Sequence, residues 1–192
     1  MNLVIFGPPG AGKGTQSNFI VKKFNLYQLS TGELLRNEIR NKTKLGQEIS
    51  SIMSSGNLVS DGIVSDLIEK FISDPNYKNK LIFDGYPRNL NQARNLNSLL
   101  KKYNQKIDLV LKLSVSLKTI KIRISERKDQ ENRSDDNEKT AIKRYETYEK
   151  NINPIIDFYK QSNLLRVVNG EPSISEINSE ISGIIKGIKG WL

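Results

Sequence analysis

The sequence predicts an α/β fold, a five-stranded parallel sheet flanked by helices and carrying two inserted segments. Three observations predict it. Short apolar runs alternate with helix-compatible stretches along the 192 residues, an order that gives a parallel sheet covered on both faces and joined by right-handed crossovers. A glycine-rich loop separates the first apolar run from the first helical stretch. One interval between consecutive strands, about fifty residues, is too long for a single crossover.

The first strand is Leu3-Val4-Ile5-Phe6, followed by Gly7-Pro8-Pro9-Gly10-Ala11-Gly12-Lys13-Gly14-Thr15 and a helix over Gln16 to Phe24. Glycines let consecutive backbone N–H groups turn toward one point, and the helix start adds partial positive charge, so a polyphosphate fits there. Lys13 reaches the outer phosphates. The generic phosphate-loop pattern wants Ser or Thr directly after the lysine; here Gly14 takes that place and Thr15 follows, so the generic motif fails by one residue. A plain glycine turn is the competing reading, yet the density of glycines beside the lysine exceeds what a turn requires.

The second strand is read at Leu26 to Leu29 and the third at Leu81 to Phe83. Between them, Ser30-Thr31-Gly32-Glu33 has capping-box spacing and opens a helix through Arg40, Leu45 to Ser54 reads as a second helix ended by Ser55-Gly56, and Asp61 starts a third. Residues 30–59 are therefore expected to form a small helical flap. Asp84-Gly85-Tyr86-Pro87-Arg88 follows the third strand, at the same sheet edge as the glycine loop, which places Asp84 to meet magnesium or its waters. A turn with a caged aspartate is the alternative. Gln92 with Asn89 could form an Asn-x-x-Gln cap, a role that competes with recognition of a base by its amide.

The fourth strand is read at Ile107 to Leu113 and the fifth at Leu164 to Val168. After the fourth, Arg123 and Arg127 share one helix face, and Arg133 and Arg144 follow. Bidentate guanidinium groups suit phosphoryl oxygens. A basic helix neutralised by Glu126, Asp129 and Glu131 is the plainer reading of the same residues.

Composition bounds these expectations. A chain of this length with 36% hydrophobic content buries one sizeable core, so one domain with inserted flaps is expected. It has no cysteine and no histidine, which removes disulfides and the usual zinc ligands; a metal would be held by oxygen, as magnesium brought by a nucleotide is. No apolar run reaches membrane-span length and Met1 leads straight into the first strand, so a cytoplasmic protein without membrane contact is expected. The net charge of +9 admits a nucleic-acid binder, but the basic residues are scattered and no basic and aromatic patch forms. With nothing to suggest a large exposed apolar face, a monomer is the default expectation.

Taken together, the residues from Met1 to about Ile185 resemble adenylate kinases within the nucleoside monophosphate kinase family. The loop matches that family's Gly-x-Pro-Gly-x-Gly-Lys-Gly-Thr form, which accounts for the one-residue misfit. The resemblance implies a P-loop NTPase core over 1–29, 60–122 and 134–192, an NMP-binding flap over 30–59 and a lid over 123–133. Only Lys128 to Asn132 separate Arg127 from Arg133, so the lid is the short form without structural zinc. It implies reversible transfer of a phosphoryl group from Mg-ATP to AMP, giving two ADP, in the service of adenine nucleotide balance.

By the same resemblance, Gly10, Ala11, Gly12, Lys13, Gly14, Thr15, Arg123, Arg127 and Gly170 hold ATP. Thr31, Arg36, Met53, Asn57, Leu58, Val59, Gly85, Arg88, Gln92, Arg133 and Arg144 hold AMP, with Gln92 reading the adenine edge. Lys13, Arg88, Arg123, Arg127, Arg133 and Arg144 surround the transferred phosphoryl group, and Asp84 faces the waters of magnesium. Glu33 and Asn169 stand where the family commonly or often has aspartate. A kinase for UMP or CMP is the alternative; Thr31, where those enzymes often carry alanine, and Gln92 favour adenine.

Overall fold

Successive strand residues point to opposite faces, so an uninterrupted apolar run such as Leu3–Phe6 feeds two cores at once. A computed structural model describes residues 1–131 and 138–188, with side chains at all of these positions except 127–131, 138 and 139. In it, Val4 and Phe6 enter one apolar cluster while Leu3 and Ile5 enter another on the opposite face.

The strands β1 (Leu3–Phe6), β2 (Tyr27–Ser30), β3 (Leu81–Asp84), β4 (Leu109–Ser114) and β5 (Leu165–Asn169) form one sheet in the order β2-β3-β1-β4-β5, every pairing parallel. The helices are α1 (Lys13–Phe24), α2 (Thr31–Arg40), α3 (Lys44–Ser54), α4 (Asp61–Ser73), α5 (Leu90–Lys102), α6 (Leu117–Glu131), α7 (Glu138–Lys160) and α8 (Ile174–Lys186). Ile20 of α1 and Ile177, Ile181 and Ile185 of α8 cover one face; Ile68 of α4, Leu96 of α5 and Ile155 of α7 cover the other. The expected sheet is the observed one.

β2 to β5 run to Ser30, Asp84, Ser114 and Asn169, each one residue past the end read in the sequence, and three of them also start later. β2 begins at Tyr27 and β4 at Leu109, because the ladder starts where Tyr27 meets Leu81 and Leu109 meets Leu3. Leu26 and Ile107 are buried without joining it. Hydrophobicity reports burial, and only a partner strand reports pairing.

Helices α2 and α3 are the two read in the 30–59 segment. Ser30 caps α2 by accepting from Glu33 N at 3.4 Å, but the return half of the capping box is not made, because the Glu33 carboxylate binds Arg36 and Arg40 instead. The two helices touch backbone to backbone: a Cβ on Gly46 would lie 2.1 Å from Glu38 O. Gly56, at φ 73°, then turns the chain back toward α7, with Thr140 and Arg144 beside it.

From β1 the chain builds β2 and β3 on one side, then crosses to β4 and β5 on the other. That reversal opens a crevice at the C-terminal ends of the strands, where open α/β sheets bind ligands. No helix among the described residues is long and apolar enough to cross a membrane.

Candidate functional site

The glycine loop leaves β1 at the middle of this edge. Gly10 and Gly12 sit at φ 80° and 88°, and Gly12 starts α1 without a side-chain cap. The first N–H groups of α1 are thus available to an anion rather than to a capping oxygen. Lys13 Nζ donates to Gly7 O at 2.7 Å and Pro8 O at 3.0 Å, which folds the ammonium back over the loop.

Next along the edge, Asp84 ends β3 with 9% of its surface exposed, and one of its oxygens accepts from Gln28 Nε2 at 2.9 Å. The neighbouring Thr31 hydroxyl donates to Gly85 O at 2.9 Å, tying the start of α2 to the chain leaving β3. Among the described residues no group of three or more acidic side chains could hold a metal alone.

Beside this floor lies a hollow of about 550 Å³ between the sheet edge and the α2–α3 flap. Of the residues assigned to AMP, Thr31, Arg36, Met53, Asn57, Leu58, Val59, Gly85, Arg88, Gln92 and Arg144 all line it. Arg36 is aimed by Glu33, which accepts from its Nε at 3.2 Å and its Nη2 at 3.0 Å. Partial burial raises the Glu33 pKa, but the hydrogen bonds and charges of Arg36 and Arg40 outweigh it and hold the carboxyl below its ordinary value.

The cap expected at Gln92 is made, and it leaves the side chain to other partners. Asn89 Oδ1 caps α5 by accepting from Gln92 N at 2.8 Å, yet the Gln92 amide also lines the hollow. That amide is held twice, Oε1 accepting from Arg88 N and Nε2 donating to Asp61 Oδ1, each at 2.7 Å.

A second hollow of about 670 Å³ adjoins the first and shares Gly56, Leu58, Gly85, Arg88 and Arg144 with it. Its far wall is the glycine loop, through Gly7, Pro9 and Lys13. Arg88, anchored by Nε donating to Gly85 O at 2.7 Å, therefore stands between the two spaces.

Arg123 lies farther along the edge. Its Nη2 donates to Gly170 O at 2.9 Å, and its Nη1 is 3.9 Å from where a Cβ on Gly12 would stand. It thereby joins the glycine loop to the turn after β5. Glu171, in that turn, accepts from Ser116 N at 2.6 Å and from the Thr119 hydroxyl at 2.7 Å, capping α6 and so fixing the helix that bears Arg123. Those bonds, the Ser116 N–H foremost, lower its pKa.

The Arg127 side chain and all of Arg133 lie outside the described residues. The sequence reading missed Leu35, Val64, Thr147 and Tyr148 as lining residues. Tyr148 follows Arg144 by one helical turn, a spacing that could have drawn it in. Its hydroxyl is buried without a hydrogen-bond partner among the described residues, and burial, with the charges of Glu149 and Tyr145, pushes its pKa up.

The chain is similar to known proteins over most of its length. Residues 5–164 match the family model described as adenylate kinase. The chain is 40% identical to an adenylate kinase of Pelagibacter ubique, with 97% of this chain and all of that protein covered. It is 41% identical to one of Leptospira biflexa, covering 93% of this chain and 96% of the relative. An adenylate kinase of Stenotrophomonas maltophilia is 38% identical, with 97% of this chain and all of that protein covered. The Pelagibacter alignment spans 212 positions against the 192 residues here, so that relative carries residues without counterpart in this chain.

Proposed function

This chain belongs to the adenylate kinase family and is a phosphotransferase, and from that premise we propose that it moves the γ-phosphoryl group of ATP reversibly onto AMP between the two adjoining hollows, giving two ADP. The observation that carries this reading is that Arg88 and Arg144 line both spaces, while Lys13 closes the far side of the second. Two anionic substrates bound on either side would present their phosphates to the same cations.

AMP takes the first hollow. Arg36 and Arg88 hold its phosphate, Thr31, Met53 and the 57–59 segment face its base, and Gln92 reads the adenine edge. ATP lies along the glycine loop, with its phosphates on the N–H groups of Gly10 to Thr15 and on Lys13, and its far end toward Arg123 and Gly170. By the family resemblance, Arg127 and Arg133 would add their charges to a ring of cations around the transferred group. The flap is 30–59, the short lid 123–133, and the remainder the core. A monomer is part of the same reading. A cytoplasmic location fits the same reading.

The donor set fits magnesium delivered with ATP: phosphate oxygens would hold it, and Asp84, itself held by Gln28, would be the protein's acceptor for its waters. Bound there, the ion would neutralise phosphate charge. The protein's own work is positioning and electrostatics. An AMP phosphate oxygen is already ionised at neutral pH, so no general base is needed, and a chain without histidine lacks nothing the step requires.

Water is the competing nucleophile, and the flap and lid exclude it by closing over both substrates. A coupled assay with AMP, dAMP, UMP and CMP, together with ATP alone, tests the reading. AMP should be the preferred acceptor and ATP hydrolysis without it far slower than transfer. Equal rates with UMP, or hydrolysis as fast as transfer, would contradict it.

A further inference from the structure

We propose that Asp61 is a specificity-determining positioning residue, which locks the Gln92 amide in the one orientation that accepts a 6-aminopurine and refuses a 6-oxopurine. The proposal rests on the reading that Gln92 faces the AMP base. A side-chain amide is nearly symmetric in shape and opposite in chemistry at its two ends, so a glutamine free to turn over serves either purine. Adenine offers a donor at its 6-amino group and an acceptor at N1; hypoxanthine reverses both.

Here the amide is not free to turn. The Arg88 N–H can only donate, which obliges Gln92 to present Oε1 to it at 2.7 Å. The Asp61 carboxylate can only accept, which obliges Gln92 to present Nε2 at 2.7 Å. Turning the amide over would set donor against donor and acceptor against acceptor. One Oε1 lone pair and one Nε2 proton remain, in fixed order, on a residue that is 3% exposed and lines the AMP hollow.

Asp61 also secures the support of this lock. Its two oxygens accept from Asn89 Nδ2 at 3.0 and 3.1 Å, and Asn89 Oδ1 in turn holds Gln92 N at 2.8 Å. One exposed carboxylate at the start of α4 thus fixes both the cap of α5 and the amide behind it.

The test measures kcat/KM for AMP and for inosine monophosphate in the wild type, D61A, D61N and Q92L, with KM for ATP alongside. D61A is expected to raise KM for AMP more than it lowers kcat and to reduce the AMP-to-IMP ratio about tenfold, as loss of a hydrogen bond to a charged group does. KM for ATP should not move. D61N, whose amide can turn over and donate where the carboxylate can only accept, should lower the ratio as well. An unchanged ratio in D61A beside a collapsed one in Q92L overturns the proposal while leaving Gln92 as the reader. A wild-type ratio kept in D61N also overturns it, since a group that can donate would then serve as well as one that only accepts. A ratio unchanged in Q92L overturns the reading of Gln92 itself.

Discussion

Replacing Lys13 with methionine lowers kcat by about two to three orders of magnitude, the loss that follows removal of one preorganised electrostatic donor. Methionine keeps the length and apolar stem of lysine and deletes the charge. Lys13 Nζ is held by Gly7 O and Pro8 O, on the wall of the second hollow, so the ammonium waits beside the loop rather than being recruited from solvent. Such a group costs little reorganisation when charge shifts between phosphates. Steady-state kinetics at saturating ATP and AMP, with the unfolding midpoint measured in parallel, decide the matter. A folded K13M enzyme with kcat within tenfold of wild type would remove Lys13 from the cationic ring.

Arg88 is the second large effect. R88A should lower kcat/KM for AMP by about two to three orders of magnitude, and KM for ATP should change little. The asymmetry follows from position: Arg88 is anchored on Gly85, at the chain leaving β3, and lines the first hollow, proposed for AMP, as well as the second. Lysine should restore only part of the loss, because an ammonium keeps the charge and forfeits the two-pronged grip on a phosphoryl group. Full recovery in R88K would mean that charge alone acts there, and an equal loss for ATP binding would place Arg88 on the donor side.

Local chemistry made much of this molecule readable. The glycine loop announced itself by composition, because few other purposes need so many glycines beside a lysine. The strands β1 and β3 were visible as apolar runs because both faces of the sheet are covered, which leaves no polar residue to interrupt them. The edge strand β5 is less buried, with Arg166 and Val167 exposed, and its limits at Leu165–Asn169 fall one residue later than its apolar run suggests.

Long-range relations were not readable in the same way. Nothing local says that β1 lies between β3 and β4, or that Asp61 meets a glutamine far along the chain. The contest over Gln92 illustrates the limit: Asn89-x-x-Gln92 spacing is consistent with capping and with base recognition, and both are available because the cap uses the Gln92 backbone while the hollow is lined by its side chain. The capping box at Ser30 failed for a related reason, since Glu33 found stronger partners in Arg36 and Arg40, charges one and two turns onward.

The most direct test is a crystal structure of the protein with a dinucleotide in which two adenosines are joined by a chain of phosphates. One adenosine should lie in the hollow beside Thr31 and Gln92, and the phosphate chain should cross from Arg88 and Arg144 to the amides and ammonium of the glycine loop. A dinucleotide bound elsewhere, with those side chains turned to solvent, would contradict a shared phosphate site.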